Sequence, residues 1–144
     1  MALGSEIALF EEAAHTETVV QLWTAVFGYE TAHNAPQLAI TKKVAVNDGL
    51  FFVACRGDEL VGTIMGGYDG HRGWIYSLAI DPAHQRQGIG TRLVHHLEDR
   101  LEKLGCLKIN LQIIASNASV EAFYHSLGYT TEERISMGKR LKVE

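Results

Sequence analysis

Cysteine and proline are scarce in this sequence, with two of each in 144 residues. Several features that mark particular classes of protein are also absent. Cys55 and Cys106 form neither a CxxC pair nor a disulfide framework. No apolar run approaches the ~20 residues of a membrane span. The first ten residues lack the basic and apolar regions of a secretory signal. We therefore expect a cytoplasmic protein with no membrane partner, folded as a single domain over residues 1–144.

Basic residues are absent from the first 41 positions, which contain five glutamates. The whole chain has a formal charge of −4, so the remaining 103 residues carry +1. This balance argues against a general nucleic-acid binder. Negative charge near a binding site would attract a cationic amine. The plainer interpretation is that these glutamates are solvated on helix faces.

Several catalytic and ligand-binding motifs are also missing. No HExxH motif or Cys/His cluster is present, so no metal is expected. Phosphotransfer from a nucleotide would require the Gly-Lys-Ser/Thr of a P-loop, which is absent. The dinucleotide fingerprint GxGxxG fails because Leu93 occupies the place of its third glycine.

The most informative stretch that is present is residues 78–92, LAIDPAHQRQGIGTR. An apolar run ends at Asp81-Pro82, and a long amphipathic segment begins after Gly88. The pattern predicts a strand, a glycine-containing loop and a helix. The N–H groups of a helix start lack partners and attract anions, and glycine lets the anion approach. Arg86 adds a charge and a fork of donors, so the stretch predicts a phosphate-binding loop.

Two blocks of the sequence resemble the GNAT acetyltransferase superfamily. Gln85-x-x-Gly88-x-Gly90 resembles its acetyl-CoA signature, (Q/R)xxGx(G/A). Residues 117–129, NASVEAFYHSLGY, resemble its segment of an asparagine, small helix residues, a tyrosine and a closing Gly-aromatic pair. The resemblance is close from about residue 50 onward, and the first 49 residues match only in pattern. Within the superfamily, the sequence resembles the bacterial acetyltransferase YpeA type and is similar also to ribosomal-protein alanine N-acetyltransferases.

Hydrophobic periodicity predicts the element order βααβββαβαβ(β). Strands are predicted at 7–10, 50–56, 59–68, 74–80 and 108–114, with one or two more in 129–141, and helices at 16–27, 34–46, 88–104 and 119–127. Thr16 is expected to cap the first helix, Gly57-Asp58 to form a hairpin turn, and Gly66-Gly67 to mark a bulge. The resemblance implies the α/β (α+β) GNAT fold. That fold has a mixed, mostly antiparallel sheet of six or seven strands, a parallel splayed central pair, and helices on both faces.

The resemblance also implies acetyl-CoA as cosubstrate, with its pantetheine arm hydrogen-bonded along the strand edge at residues 78–80. The implied binding residues are Leu78, Ala79, Ile80, Arg86, Gln87, Gly88, Ile89, Gly90, Thr91, Asn117 and Tyr124. Two plainer alternatives remain: an ordinary glycine-rich helix start for the loop, and a simple helix N-cap for Asn117.

Two residues are predicted to act on the reacting thioester. The Leu78 backbone N–H is expected to donate to the thioester oxygen as an oxyanion donor. Tyr124 is expected to face the CoA sulfur, where a phenol of pKa ~10 protonates or hydrogen-bonds a departing thiolate of pKa ~8.5. The alternative for Tyr124 is an ordinary core tyrosine.

The general base is not carried over from the family. The alanine-acetylating relatives have a glutamate where we align Gln112, which cannot accept a proton. The candidate replacements are Glu30, His33, and a water relayed through Tyr76 or Ser77. The residues expected to line the acceptor site are Glu30, His33, Tyr76 and Gln112.

The sequence as a whole predicts an acetyl-CoA-dependent N-acetyltransferase whose primary amine attacks the thioester directly. The acceptor is a small-molecule amine or a peptide N-terminus, and the sequence does not distinguish them. The alternative is a non-catalytic acyl-CoA-binding regulatory module, favoured only by the missing glutamate. Some relatives pair through their last strands, which makes a homodimer one option.

Overall fold

The computed structural model describes residues 5–28 and 35–142, and the chain divides into two compact units, Met1–Asn110 and Leu111–Glu144. The described part of the first unit holds five strands and three helices, and that of the second holds one helix. The elements are β1 Glu6–Leu9, α1 Glu12–Phe27, α2 Pro36–Val46, β2 Phe51–Arg56, β3 Glu59–Tyr68, β4 Gly73–Ile80, a short 3₁₀ turn Pro82–His84, α3 Ile89–Lys103, β5 Ile109–Asn110 and α4 Ala118–Ser126.

The five strands form one sheet in the order β1-β2-β3-β4-β5. Neighbouring strands are antiparallel except for β4 and β5, which are parallel. Gly57 and Asp58 connect β2 to β3 as the predicted hairpin turn, with Gly57 at φ 62°. Pairing between β4 and β5 covers only Gly73 with Ile109 and Trp74 with Asn110. The predicted parallel pair is therefore confirmed, and its pairing is short.

Helices cover both faces of the sheet. Successive residues of a strand point to opposite faces. Phe51 stacks on Trp23 of α1 at a ring distance of 5.7 Å, whereas Phe52 meets His96 of α3 edge-on at 4.5 Å. The two faces therefore hold α1 and α3 respectively, as the fold class predicts.

The predicted bulge at Gly66-Gly67 is wrong. A Cβ at position 66 would lie 2.5 Å from Cδ1 of the fully buried Leu97, so this glycine lets α3 approach the sheet. The register of β3 on β4 shifts instead between Thr63 and Met65. The extra residue is on β4, where Ser77 and Leu78 together stand opposite a single residue of β3.

The strand count is five in the described residues, rather than six or seven. The strand predicted at 108–114 is reduced to Ile109–Asn110, and residues 129–142 contain no strand. A strand needs a partner for its backbone groups. In the described residues of the second unit, the side chains of Gln112 and Ser136 meet through a 2.9 Å hydrogen bond instead of a backbone ladder. The apolar side chains of Ile135 and Met137 are each 91% exposed.

The first helix begins four residues before the predicted cap. The backbone N–H of Glu11 donates to Nδ1 of His15 at 2.9 Å, which closes the first turn. Thr16 lies inside the helix, where its Oγ1 donates to the Glu12 carbonyl at 2.6 Å. The prediction of Thr16 as the cap is therefore wrong. The second helix begins at Pro36, while Asn34 lies outside the described residues.

Candidate functional site

The bulge in β4 gives this strand an irregular end. Ser77 has φ 50°, a left-handed conformation that residues with a side chain rarely adopt. A bulge bends its strand and re-aims the groups beside it. Sequence analysis considered Ser77 only as a relay for water and did not identify it as the bulged residue. The available signal was a small polar residue within an otherwise apolar run.

Beyond the bulge, one edge of β4 is not paired with β5. The N–H of Asp81 donates to the Val61 carbonyl of β3 at 2.8 Å. Because backbone groups alternate between the two neighbours of a strand, Ile80 turns its N–H and C=O away from β3. On that side the pairing with β5 is confined to Gly73 and Trp74. The Ile80 carbonyl has a side-chain neighbour, Nε2 of Gln85, at 3.5 Å.

The loop after β4 presents the start of α3. Asp81 caps the 3₁₀ turn by accepting the Ala83 N–H at 2.9 Å. Arg86 and Gly88 follow with φ of 64° and 78°, and Gly88 is the N-cap of α3. No side chain of the described residues caps this helix. The N–H groups of its first turn therefore have no side-chain acceptor. The predicted strand, loop and helix are present.

Two side chains of the β2–β3 hairpin hold this loop. Nη1 of Arg56 donates to Oε1 of Gln87 at 2.7 Å. Nε2 of His84 lies 2.9 Å from Oε1 of Glu59. Sequence analysis missed Arg56, because 31 positions separate it from Gln87 and no motif marks it.

In the second unit, Asn117 and Tyr124 lie on the same short helix. Oδ1 of Asn117 accepts the Val120 N–H at 3.3 Å, so Asn117 is the N-cap of α4. Tyr124 is 5% exposed and its ring contacts Tyr129 edge-on at 5.4 Å. Burial raises the pKa of the Tyr124 phenol, which therefore stays protonated at neutral pH and is able to donate a hydrogen bond.

The residues expected to line the acceptor site are only partly described. Glu30 and His33 lie outside the described residues. Tyr76 is 48% exposed, and partial burial followed by the charge of Asp69 raises the pKa of its phenol. Because this phenol stays protonated at neutral pH, Tyr76 is a poor base there. Gln112 is exposed, and its amide donates to Oγ of Ser136, which fits a positioning group and not a proton acceptor.

Within residues 5–28 and 35–142, no three His, Cys, Asp or Glu side chains are grouped so that they could hold a metal ion. No helix of this described part is both long and apolar enough to cross a membrane.

Residues 16–129 match the family model described as acetyltransferase (GNAT) family. This range contains the bulged strand β4, its unpaired edge and the start of α3. The chain therefore belongs to the acetyltransferase (GNAT) family, and its class is that of the acyltransferases. Enzymes of this family use acetyl-CoA.

Two of the similar proteins come from bacteria. An acetyltransferase of Yersinia pestis is 36% identical over 96% of this chain and 97% of its own length. An acetyltransferase of Pectobacterium atrosepticum is 38% identical over 94% of this chain and 95% of its own length.

Two solved structures share the fold. The ribosomal-protein-S18-alanine N-acetyltransferase of Escherichia coli superposes with a TM-score of 0.69 at 27% identity, covering 86% of this chain and 76% of that one. The PaiA N-acetyltransferase of Thermoplasma acidophilum, solved in complex with coenzyme A, gives 0.74 at 18% identity and covers 91% and 92%. These likenesses confirm the predicted fold class.

Proposed function

We propose that this protein is an acetyl-CoA-dependent N-acetyltransferase in which a primary amine attacks the thioester directly. The observation that carries the proposal is the bulge at Ser77 and Leu78, which leaves an edge of β4 available beside the loop that starts α3. The similarity to an enzyme named for acetylating an alanine of a ribosomal protein supports an amine acceptor. That acceptor is a small-molecule amine or a peptide N-terminus.

The start of α3 fits a diphosphate group. The N–H groups of Ile89, Gly90 and Thr91 form the first turn of a helix without a side-chain cap. Such groups, together with the helix dipole, favour a bound anion. The guanidinium of Arg86 adds charge, and Arg56 restrains Gln87 beside it. Bound here by its diphosphate, acetyl-CoA supplies the activated acetyl thioester.

The far end of β4 fits an extended amide chain and a developing oxyanion. Ile80 offers an N–H and a C=O on the side away from β3, as an added strand requires. The N–H of Leu78 donates to the thioester oxygen, where negative charge increases in the transition state. Ala79 lies between them, buried and paired with Thr63 of β3, and sets the spacing of these two donors.

We also propose roles for Tyr124 of α4 and for Asn117, the N-cap of that helix. Tyr124, kept neutral by burial, donates a hydrogen bond to the departing thiolate. Asn117 uses Oδ1 for the helix cap, which leaves its amide N–H groups for a pantetheine carbonyl.

The amine must lose its proton before it attacks. Gln112 does not accept this proton, so the family's base is replaced here. The candidates for the general base remain Glu30, His33 and a water held by Tyr76 or Ser77. With Gln112 in place of glutamate, the acceptor site carries one negative charge fewer than in the alanine-acetylating relatives.

Release of free CoA thiol, measured over a panel of amines, tests the proposal. We expect release that depends on the amine and falls by about 10²-fold in Tyr124→Phe. Tyr68→Phe makes the same chemical change in β3 and is the control. Calorimetric binding of acetyl-CoA with no turnover on any amine would support the acyl-CoA-binding module instead. Absence of binding by the folded protein would refute both readings.

A further inference from the structure

A buried polar chain runs from α1 through β3 to the bulge. Nε1 of Trp23 donates to Oγ1 of Thr63 at 2.8 Å, and Oγ1 of Thr63 donates to the Ser77 carbonyl at 3.0 Å. Trp23 and Thr63 are both completely buried. Thr63 is one of two buried polar side chains in the described chain, and it lies between a helix and the bulged residue.

The direction of each hydrogen bond in this chain is fixed by chemistry. An indole N–H is only a donor, whereas a hydroxyl is one donor and two acceptors. Trp23 therefore uses a lone pair of Thr63, and the single hydroxyl proton of Thr63 is directed at the Ser77 carbonyl. Because Trp23 and Thr63 are completely buried and Ser77 is partly buried, these hydrogen bonds are costly to leave unmade.

The carbonyl that Thr63 holds belongs to the same peptide unit as the Leu78 N–H. This unit is planar and trans, so its C=O and N–H point in opposite directions. Holding the Ser77 carbonyl toward β3 therefore turns the Leu78 N–H toward the opposite side, where the β4 edge is unpaired with β5. The left-handed conformation of Ser77 persists only where its surroundings enforce it, and Thr63 supplies such a restraint.

We propose that Thr63, oriented by Trp23, is a positioning residue that aims the Leu78 N–H at the thioester oxygen. This inference rests on the proposed acetyl transfer. It assigns a role in the reaction to a residue of β3 and a residue of α1, neither of which touches the reacting atoms.

Thr63→Val tests the proposal, because valine keeps the shape and removes the hydroxyl. Thr63→Ser is the matched control, because it keeps the hydroxyl and loses a methyl group. We expect kcat to fall about tenfold or more in the valine variant. The dissociation constant of CoA should change less than about threefold, because the diphosphate loop is intact. Thr63→Ser should restore kcat to within about threefold of the parent, since the donor is present again.

A spectroscopic measurement separates aiming from general stability. The infrared carbonyl stretch of isotope-labelled acetyl-CoA, bound without an amine, should shift to lower frequency in the parent protein and in Thr63→Ser. In Thr63→Val the stretch should return toward its value in solution. If the valine variant does not fold, Trp23→Phe, which removes the indole N–H together with the five-membered ring, should show a smaller loss of both the shift and kcat.

The two proposals fail in different ways. If the parent protein binds acetyl-CoA but shows neither turnover nor a carbonyl shift, the proposed function is wrong. If the parent shows both and a folded Thr63→Val or Trp23→Phe matches it in kcat and carbonyl frequency, the positioning role is wrong while the function stands. An equal loss of kcat in Thr63→Ser and Thr63→Val would also refute the role, because the hydroxyl would then be irrelevant.

Discussion

The two halves of β4 are built in opposite ways. At its start, the Gly73 N–H donates to the Lys108 carbonyl at 2.9 Å, and a Cβ on Gly73 would lie 2.9 Å from Sγ of Cys106. At its end, Ser77 bulges and Ile80 faces a side that β5 does not reach. The first half of this strand is closed by packing. The second half has main-chain groups that are not paired with β5, and the proposed function assigns these groups to the ligand.

The largest effect on stability should come from truncating a core side chain that packs against the sheet beside the first half of β4. Leu97 of α3 is fully buried against Gly66, so Leu97→Ala should lower the free energy of unfolding by about 2–5 kcal/mol. Leu104, just after the same helix, is 54% exposed, and Leu104→Ala should change stability by less than about 0.5 kcal/mol. Urea unfolding measures both. Equal losses would show that α3 does not pack as described.

A smaller loss should follow from overfilling the same region. Gly66→Ala places a Cβ 2.5 Å from Cδ1 of Leu97 and should cost about 1–3 kcal/mol of stability. Gly67→Ala is the matched control, because its Cβ would meet only Tyr76, at 3.4 Å. Thermal melts of the two variants should differ clearly. A Gly66→Ala protein as stable as the parent would contradict the close approach of α3.

At the open half, Arg86 should separate affinity from stability. Arg86→Gly and Arg86→Ala both remove the guanidinium, and each should weaken CoA binding about tenfold. Only glycine relieves the left-handed backbone at φ 64°, so Arg86→Gly should be more stable than Arg86→Ala by about 1 kcal/mol. Calorimetric titration and urea unfolding test these expectations. Unchanged affinity in both variants would remove Arg86 from the diphosphate site.

The smallest effect concerns acid stability on the face covered by α3. Burial, then the charge of Arg100, lowers the pKa of His96 below its usual value. The unfolded chain therefore takes up this proton at a higher pH than the folded protein does, and the free energy of unfolding decreases as pH falls below ~6.5. The urea midpoint should drop less between neutral and mildly acidic pH in His96→Gln than in the parent. His95→Gln, at the exposed neighbouring position, should behave as the parent does.

Local patterns in the sequence predict much of this fold. The bounds of β3 at Glu59–Tyr68 match the prediction, and the Gly57-Asp58 turn follows from its residue types. The strand, loop and helix around Gly88 also follow from local chemistry, because an apolar run, a turn and an amphipathic segment are adjacent. These features depend on neighbours in the chain, which a sequence displays directly.

The features that sequence reasoning missed depend on residues far apart in the chain. Because glycine weakens strands, the sequence pattern predicts a bulge in β3, yet Gly66 allows the close approach of α3, and the bulge is at Ser77. Thr63 and Ser77 are linked across two strands, and Trp23 reaches them from a helix. No local pattern marks such a contact. The start of α1 was missed because His15, a residue not typical of caps, accepts the Glu11 N–H.

The proposed oxyanion donor is a main-chain group, and this has a consequence for how the family can diversify. Substitution at position 78 changes a side chain but leaves the amide hydrogen in place, so mutation cannot easily delete that part of the catalyst. Residues that select the amine are then free to drift while the transfer step is inherited intact. Gln112, which we propose lines the acceptor site, is a position at which such separate inheritance would be visible.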